Sequence, residues 1–265
     1  MLKNAYPVEA PDHDAALMAM RGPFEPNIAA LKEMGYEAVE LLVRDPAALD
    51  RTNCEEILKK YGMGVAALST APMPKADGVD LQSPETGEEA ERRIRDMIAL
   101  AARWNGCPIS IGKARGSRNG GDLSGLKERL SRLDIHAARA HVTLALEPQS
   151  RTNIDSLNTV REAEALIDGI GGKSLGLHLD TYHMDIEEKD APGAIAACRY
   201  PIAFVHMADR ERRVPGTGGI DWQALLHALK QKGFTGWLSP EIKQGNDSRE
   251  TARQFMAWAQ TQEGI

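Results

Sequence analysis

Cysteine is scarce in this sequence: its 265 residues include three, Cys54, Cys107 and Cys198, which lie far apart and form no CxxC pair. Such a set is typical of buried free thiols in a reducing compartment. Long hydrophobic runs are also missing, since no run approaches the roughly 18 apolar residues of a membrane span. The first residues, MLKNAYPVEAPDHD, have no apolar signal core. We therefore expect a cytoplasmic protein with no membrane partner.

An excess of basic residues is missing as well. The chain has 32 Lys and Arg against 38 Asp and Glu, a net charge of −6 and a pI near 5.7. This balance argues against nucleic acid as the main partner. The length suits two small domains or one large α/β barrel. Because no linker, low-complexity tract or change in composition interrupts the chain, we predict a single domain over residues 1–265.

Short apolar runs alternate with longer amphipathic stretches along the chain. Seven runs predict strands, at 37–43, 64–70, 107–114, 142–148, 174–180, 202–209 and 236–242. Eight stretches predict helices, near 25–35, 52–61, 85–104, 122–141, 156–170, 187–199, 221–232 and 247–262. An eighth strand fits residues 2–8, although Asn4 and Pro7 suit a strand poorly.

Strands that alternate with helices at intervals of about 30 residues indicate parallel βαβ units. Eight such units in one chain predict an α/β fold, the (β/α)8 TIM barrel. A doubly wound open sheet is the alternative. It usually has fewer strands, and its Gly-rich dinucleotide fingerprint is absent after the first strand.

Four consecutive predicted strands carry a metal-binding side chain at or near their C-terminal ends. These residues are Glu147, Asp180, His206 and Glu241, which lie 33, 26 and 35 residues apart. A barrel gathers such ends in one mouth. Three carboxylates there would repel one another unless a cation lay between them. Taken singly, each glutamate also fits a solvated loop, Asp180 a helix cap and His206 a buried core position.

The donor set predicts one divalent metal ion. Oxygen ligands with a single imidazole favour Mn²⁺ or Mg²⁺, with Co²⁺ and Zn²⁺ as further candidates and a structural zinc site disfavoured.

Motifs in the second half of the chain are LEPQSR, LGLHLDTYHMDIEE, FVHMADRERRVPGTGGIDW and GFTGWLSPEI. They resemble the xylose-isomerase-like barrel superfamily of sugar and sugar-phosphate isomerases and epimerases, most of all its D-tagatose/D-psicose 3-epimerase group. The resemblance is strong from about residue 140 to 242 and weaker, though collinear, before that.

The resemblance implies an isomerase that epimerises a ketose, a ketose phosphate or a sugar acid at C3 through a metal-stabilised enediolate. It implies that Glu147, Asp180, His206 and Glu241 hold the metal and that Glu147 and Glu241 exchange the proton. It also implies substrate contacts by His183 and Arg212. The alternatives from the residues alone are a capping role for His183 and a solvated loop position for Arg212.

The Gly-rich segment 112–121 carries Lys113, Arg115 and Arg118. It fits a mobile lid, or a site in which Arg115 binds a phosphate or carboxylate of the substrate. Group members that act on free ketohexoses often carry a glutamate at the position of Asn153. This difference leaves the sugar open. The segment PGTGG, residues 215–219, predicts a turn before a helix that begins near Asp221.

Other functions fit the same barrel. An aldose–ketose or hydroxypyruvate-type isomerase and a keto-polyol dehydratase also begin with proton abstraction beside a carbonyl. An apurinic-site endonuclease would need extra histidines at the early strand ends, which instead read Leu42-Val43-Arg44 and Ser69-Thr70. A non-catalytic sugar-binding protein would not need both glutamates. The resemblance further implies a homo-oligomer, a dimer or a tetramer.

Overall fold

Eight parallel strands form a closed barrel surrounded by helices in this computed structural model, which describes residues 3–12 and 18–262. The strands are β1 (Lys3–Glu9), β2 (Ala38–Leu42), β3 (Gly64–Ser69), β4 (Ile109–Ile111), β5 (Leu144–Leu146), β6 (Leu175–Asp180), β7 (Ile202–His206) and β8 (Trp237–Ser239). They pair in chain order, and β1 closes the barrel against β8. The predicted (β/α)8 barrel is therefore confirmed.

Ten α-helices accompany the strands within the described residues. They are α1 (Phe24–Glu33), α2 (Arg51–Tyr61), α3 (Pro72–Asp77), α4 (Gly87–Arg103), α5 (Ser124–Ala140), α6 (Val160–Ile170), α7 (Thr181–Glu187), α8 (Ala191–Ala197), α9 (Trp222–Gln231) and α10 (Ser248–Thr261). Two short 3-10 turns, Lys113–Arg115 and Arg210–Arg212, follow β4 and β7. No helix in the described part of the chain is both long and apolar enough to cross a membrane.

The first strand forms in spite of Pro7. The Pro7 carbonyl accepts a hydrogen bond from the Met20 amide at 2.9 Å, on the side of β1 away from β2. A residue in a strand directs its N–H and C=O to the same side, so the missing N–H of Pro7 also lies there. In β1, β8 pairs only with Lys3 and Asn4. No neighbouring strand beside Pro7 therefore requires a backbone N–H from that residue.

The predicted helix at 187–199 is wrong in its bounds. Only α8, at residues 191–197, lies within this range, a separate short helix, α7, ends at residue 187, and each of the two begins at an aspartate. The Asp180 carboxylate accepts from the amides of Tyr182 and His183, and that of Asp190 from the amide of Gly193. Aspartate at an N-cap satisfies amides that have no partner within the helix. The helix predicted at 221–232 is present as α9, and Asp221 is its N-cap.

The apolar core has two parts. The larger lies between the strands and the helices and includes Leu177, Leu179 and Val205. The smaller lies inside the barrel, where alanines from β1, β2 and β3 surround Phe204. Leucines of β6 face the helices, so the alternate residues of that strand face the barrel interior. This alternation places Asp180, and two residues before it His178, on the inner face.

Candidate active site

The four predicted metal ligands converge at the C-terminal end of the barrel. The Nδ1 atom of His206 lies 3.6 Å from Glu147 Oε1, 3.6 Å from Asp180 Oδ2 and 3.7 Å from Glu241 Oε2. One ligand atom from each residue lies within 4.8 Å of every other. All but Glu241, which is partly exposed, are buried. The geometry required by the sequence hypothesis is thus present.

The residues fit a divalent cation. Within the described part of the chain, Glu147 Oε1 and His206 Nδ1 are buried and have no hydrogen-bond partner. Buried polar atoms without a partner are rare and costly, so each such atom calls for an explanation. These two face each other among three carboxylates, and a cation between them would satisfy both.

Two buried residues complete this centre and were missed from the sequence. Both carboxylate oxygens of Glu40 lie 3.0 Å from His206 Nε2, and Ser239 Oγ donates to Glu40 at 2.7 Å. The ring of His178 lies 4.1 Å from that of His206, and its Nδ1 contacts Ser110 Oγ at 2.7 Å. Both lie inside strands, whereas the residues predicted from the sequence lie at or near strand ends. The signal was a charged or polar residue on the inner face of an apolar strand.

Asp180 combines the two roles that the sequence left open. Its Oδ1 caps α7, while its Oδ2 faces His206 and accepts a 2.6 Å hydrogen bond from Arg212 Nη1. Arg212 Nη2 lies 2.8 Å from Glu241 Oε2, and its guanidinium covers the ring of Tyr182 at 4.4 Å. Arg212 is thus buried beside two of the carboxylates and does not occupy a solvated loop position.

His183 lies against Arg212, with its Nε2 2.9 Å from Arg212 Nη2. The Ser150 amide donates to His183 Nδ1 at 3.1 Å, which makes Nδ1 an acceptor and leaves the ring proton on Nε2. Burial lowers the pKa of His183, so the ring is neutral at pH 7. Two N–H donors that face each other cannot bond together. The Nε2–H of His183 is therefore without an acceptor, and His183 lines the cavity, where an oxygen atom of a ligand can accept from it.

The backbone around Arg212 is strained. Glu211 and Arg212 have φ angles of 60° and 58°, in the left-handed region that non-glycine residues rarely occupy. Asp209 holds this loop in place, because its carboxylate accepts from the amides of Arg210, Gly216 and Ile220 and from the indole of Trp222. The predicted turn at 215–219 is part of this arrangement.

A chain of side-chain amides supports Glu147. Gln149 Nε2 donates a short hydrogen bond to Glu147 Oε2, and Asn153 Nδ2 donates to Gln149 Oε1 at 2.7 Å. Gly112 lies directly against the same carboxylate, where a Cβ atom would clash with Glu147 Oε2 and Gln149 Nε2. The free oxygen, Oε1, is thereby directed toward His206.

The two glutamates differ in their protonation. Burial opposes charge on Glu147, but the imidazoles of His178 and His206 prevail and lower its pKa to about 2. Burial in the mouth dominates at Glu241 and raises its pKa to about 8, despite Arg212 and His206. Without an ion, the site thus pairs a charged carboxylate at Glu147 with a neutral carboxyl group at Glu241 at pH 7.

These residues line a cavity of about 560 Å³. Its floor is formed by Glu147, His183, His206, Arg212 and Glu241. Its walls include Ser69, Lys75, Ser110, Lys113, Gln149, Asn153 and Tyr182. Small-molecule sites commonly have volumes of about 300–1,000 Å³.

Arg115 does not face this cavity. Its side chain is fully buried, and the guanidinium donates to the carbonyls of Gly112, Glu147, Ser156 and Leu157 at 2.7–3.3 Å. All its donors are thus used within the protein, which corrects the expectation that Arg115 binds an anion of the substrate. Lys113, two residues earlier, lines the cavity instead.

Comparison with known proteins agrees with this geometry. Residues 28–262 match the family described as Xylose isomerase-like TIM barrel. The chain is 31% identical over 244 residues to the 3-dehydro-D-guloside 4-epimerase of Escherichia coli, covering 87% of this chain and 92% of that protein. It is 30% identical over 248 residues to the L-ribulose 3-epimerase of Mesorhizobium japonicum, covering 89% and 82%.

Among solved structures, the apo form of 3-keto-D-glucoside 4-epimerase from E. coli superposes with a TM-score of 0.80. The sequence identity is 22%, and the match covers 98% of this chain and 100% of that one. At this identity the likeness concerns the fold alone. The resemblance predicted from the second-half motifs is confirmed by the family match and by the two epimerases above.

Proposed function

Since the chain belongs to the Xylose isomerase-like TIM barrel family, we propose that it is a metal-dependent carbohydrate epimerase that inverts a carbon next to a ketone, most specifically a ketose 3-epimerase. One observation carries the proposal. Glu147 follows β5 and Glu241 follows β8, so that β6 and β7 lie between them in the barrel. Their carboxylates nevertheless lie 3.6 and 3.7 Å from the same atom, His206 Nδ1. Two carboxylates arranged around one point can remove a proton from one face of a carbon and return one to the other.

The proton transfers are assigned to these glutamates. Epimerisation requires removal of the proton beside the carbonyl and protonation of the resulting enediolate on the opposite face. In one direction of the reaction one glutamate accepts the proton and the other returns one to the opposite face, and in the reverse direction they exchange these roles. Proton transfer by a positioned side chain typically contributes about 10²–10⁴-fold to the rate.

The negative charge of the enediolate is stabilised by fixed donors. His183 and Arg212 both line the cavity, where their N–H groups can donate to a sugar oxygen. A divalent ion held by Glu147, Asp180, His206 and Glu241 would polarise the carbonyl and hydroxyl oxygens of the sugar. We propose Mn²⁺ or Mg²⁺ as that ion, with Co²⁺ and Zn²⁺ as the next candidates, because three of the four ligands are carboxylates.

A 4-epimerase of a 3-keto sugar is the second candidate. The identity of 31% to the 3-dehydro-D-guloside 4-epimerase, which this chain matches over 92% of its length, supports it. The chemistry is the same, with the proton next to the ketone now on C4. An aldose–ketose isomerase or a keto-polyol dehydratase would use the same first step. These functions differ in which carbon exchanges its proton and in the product.

Exchange with solvent tests the proposal. Protein supplied with Mn²⁺ is incubated in D₂O with ketopentoses, ketohexoses and 3-keto glycosides, and the deuterium at each carbon is measured by NMR. A 3-epimerase incorporates deuterium at C3 of a ketose and forms its C3 epimer. A 4-epimerase labels C4 of the 3-keto sugar, and an aldose–ketose isomerase labels C1 or C2.

Two variants link the exchange to the site. Glu147→Gln and Glu241→Gln should each slow exchange by at least about 10²-fold. Glu128→Gln, at an exposed position on α5, is the matched control. A protein that binds sugars without exchanging any carbon-bound proton would be a binding protein, and the proposed function would be wrong.

We also propose the cytoplasm as the compartment, which three buried cysteines, all free thiols, support. The proposed assembly remains a dimer or tetramer.

A further inference from the structure

One wall of the cavity carries two lysines that the proposed mechanism does not use. Lys75 belongs to α3, which follows β3, and Lys113 begins the 3-10 turn that follows β4. Because β3 and β4 are neighbours in the barrel, these segments contact each other at the mouth. The metal ligands come from the strands β5 to β8. The lysines therefore lie on a different part of the cavity wall from the metal ligands.

Neither lysine has a partner in the described residues, which contain no hydrogen bond or ion pair to either ammonium. Other cations near this rim are paired. Arg44 and Arg93 both bind Asp77, and Arg212 binds Asp180 and Glu241. Lys75 and Lys113 thus remain as cavity-lining cations whose charge is free to act on a ligand.

The charges of the site favour an anion at this position. A divalent ion and Arg212 would balance Glu147, Asp180 and Glu241, and Glu40, the other described carboxylate in contact with His206, does not line the cavity. Among the described residues that line the cavity, the two lysines then leave an excess of positive charge. A concave surface lined by one sign of charge attracts a ligand group of the opposite sign. The remaining wall residues near the lysines, Ser69, Ser110, Gln149 and Asn153, are neutral.

We propose that the substrate is an acidic sugar, with a carboxylate or phosphate ester at the end remote from its ketone, and that Lys75 and Lys113 bind this group. The inference rests on the proposed function and adds the substrate class. It also replaces Arg115 as the anion-binding residue, since the buried Arg115 fixes the turn that carries Lys113. Lysine binds phosphate and carboxylate oxygens as a mobile point charge.

Three ketoses that differ at one end test the proposal. D-Fructose, D-fructose 6-phosphate and D-fructuronate share the ketone and carry a hydroxymethyl group, a phosphate ester and a carboxylate at C6. We measure kcat/KM for deuterium exchange at each carbon in the Mn²⁺-loaded protein, the Lys75→Gln/Lys113→Gln double variant and the Lys59→Gln control on the exposed face of α2.

The wild type should prefer at least one anionic ketose over fructose by about tenfold or more. The double variant should lose this preference, with kcat/KM falling at least about tenfold more for the anionic ketose than for fructose, whereas Lys59→Gln should retain the preference. The preference should also fall as ionic strength rises. Which anion is preferred distinguishes a sugar phosphate from a sugar acid.

An equal or greater kcat/KM for fructose, or an equal loss on all three sugars in the double variant, would overturn the proposal while leaving the epimerase function intact. Absence of exchange with these three ketoses and with the ketopentoses, ketohexoses and 3-keto glycosides of the first experiment would instead contradict the proposed function. Calorimetric binding of the same three ketoses then decides the lysine site. Anionic ketoses that bind no more tightly than fructose, or no less tightly to the double variant, would overturn it.

Discussion

The Nε2 atom of His206 lies 3.0 Å from both carboxylate oxygens of Glu40, a residue 166 positions earlier in the chain. The contact makes Nε2 the donor and leaves Nδ1 facing Glu147, Asp180 and Glu241. A carboxylate behind a metal-binding histidine fixes the ring and raises its basicity.

Glu40→Gln should therefore weaken Mn²⁺ binding about 10–100-fold, the range typical of such supporting residues. Titration calorimetry measures the affinity, and circular dichroism checks that the variant is folded. Glu37→Gln, at an exposed position just before β2, is the control. An unchanged affinity in a folded Glu40→Gln protein would contradict the role assigned to this contact.

Ion binding should depend on pH and release protons. Burial raises the pKa of Glu241 to about 8. Burial acts in the opposite direction on His206, but Glu40 and Glu241 outweigh it and raise the pKa of the imidazole well above its usual value. Both groups thus carry a proton at pH 7 without an ion, and both must lose it to bind one.

The affinity for Mn²⁺ should accordingly rise as the pH increases from 6 to above 8. Calorimetry at pH 7 in buffers of different ionisation enthalpy counts the released protons, and Glu241→Gln should release about one fewer. Binding at pH 7 without proton release would show that these groups are already deprotonated.

Arg115 should contribute mainly to stability. Its replacement by Met removes the donor to the buried carbonyls of Glu147 and Ser156, whereas the Gly112 carbonyl keeps the backbone amide of residue 115. Unsatisfied buried polar groups cost about 1–3 kcal/mol each, so we expect a loss of roughly 3–5 kcal/mol in the free energy of unfolding. Urea denaturation measures it, with the exposed Arg118→Gln as control. A loss below about 0.5 kcal/mol in the free energy of unfolding would show that these carbonyls have another hydrogen-bond donor.

Gln149 should act on the reaction through Glu147. Gln149→Leu keeps the size of the side chain but removes the donor to Glu147 Oε2, so the carboxylate loses its fixed position. We expect kcat to fall about tenfold with a smaller change in KM, since misplaced catalytic groups slow the chemical step. Adding Gln149→Leu to Glu147→Gln should have little further effect on kcat. An additive loss in this double-mutant cycle would indicate an independent structural role.

The sequence predicted the barrel and the four converging side chains because both follow from strand order. Glu147, Asp180, His206 and Glu241 lie at or just beyond strand ends, which a parallel barrel gathers in one mouth. Glu40 and His178 lie inside strands. The signal for His178 was its position two residues before Asp180, on the same inner face of β6, and the signal for Glu40 was its charge within the apolar run of β2.

The role of Arg115 could not be predicted. Whether an arginine in a Gly-rich loop faces a ligand or its own backbone depends on the path of that loop. Here the loop turns back over the carbonyls that follow β5, and the guanidinium is enclosed. The split between α7 and α8 depended similarly on the capping contacts of Asp180 and Asp190.

The left-handed backbone at Glu211 and Arg212 lowers the stability of the folded protein. Each such residue costs on the order of 1–3 kcal/mol, which the hydrogen bonds to Asp209 offset. A glycine at position 211 would relieve part of this cost and give a more heat-resistant protein. It would also make the loop that positions the Arg212 guanidinium more flexible. A search for more thermostable variants of this chain should therefore select for turnover as well as melting temperature.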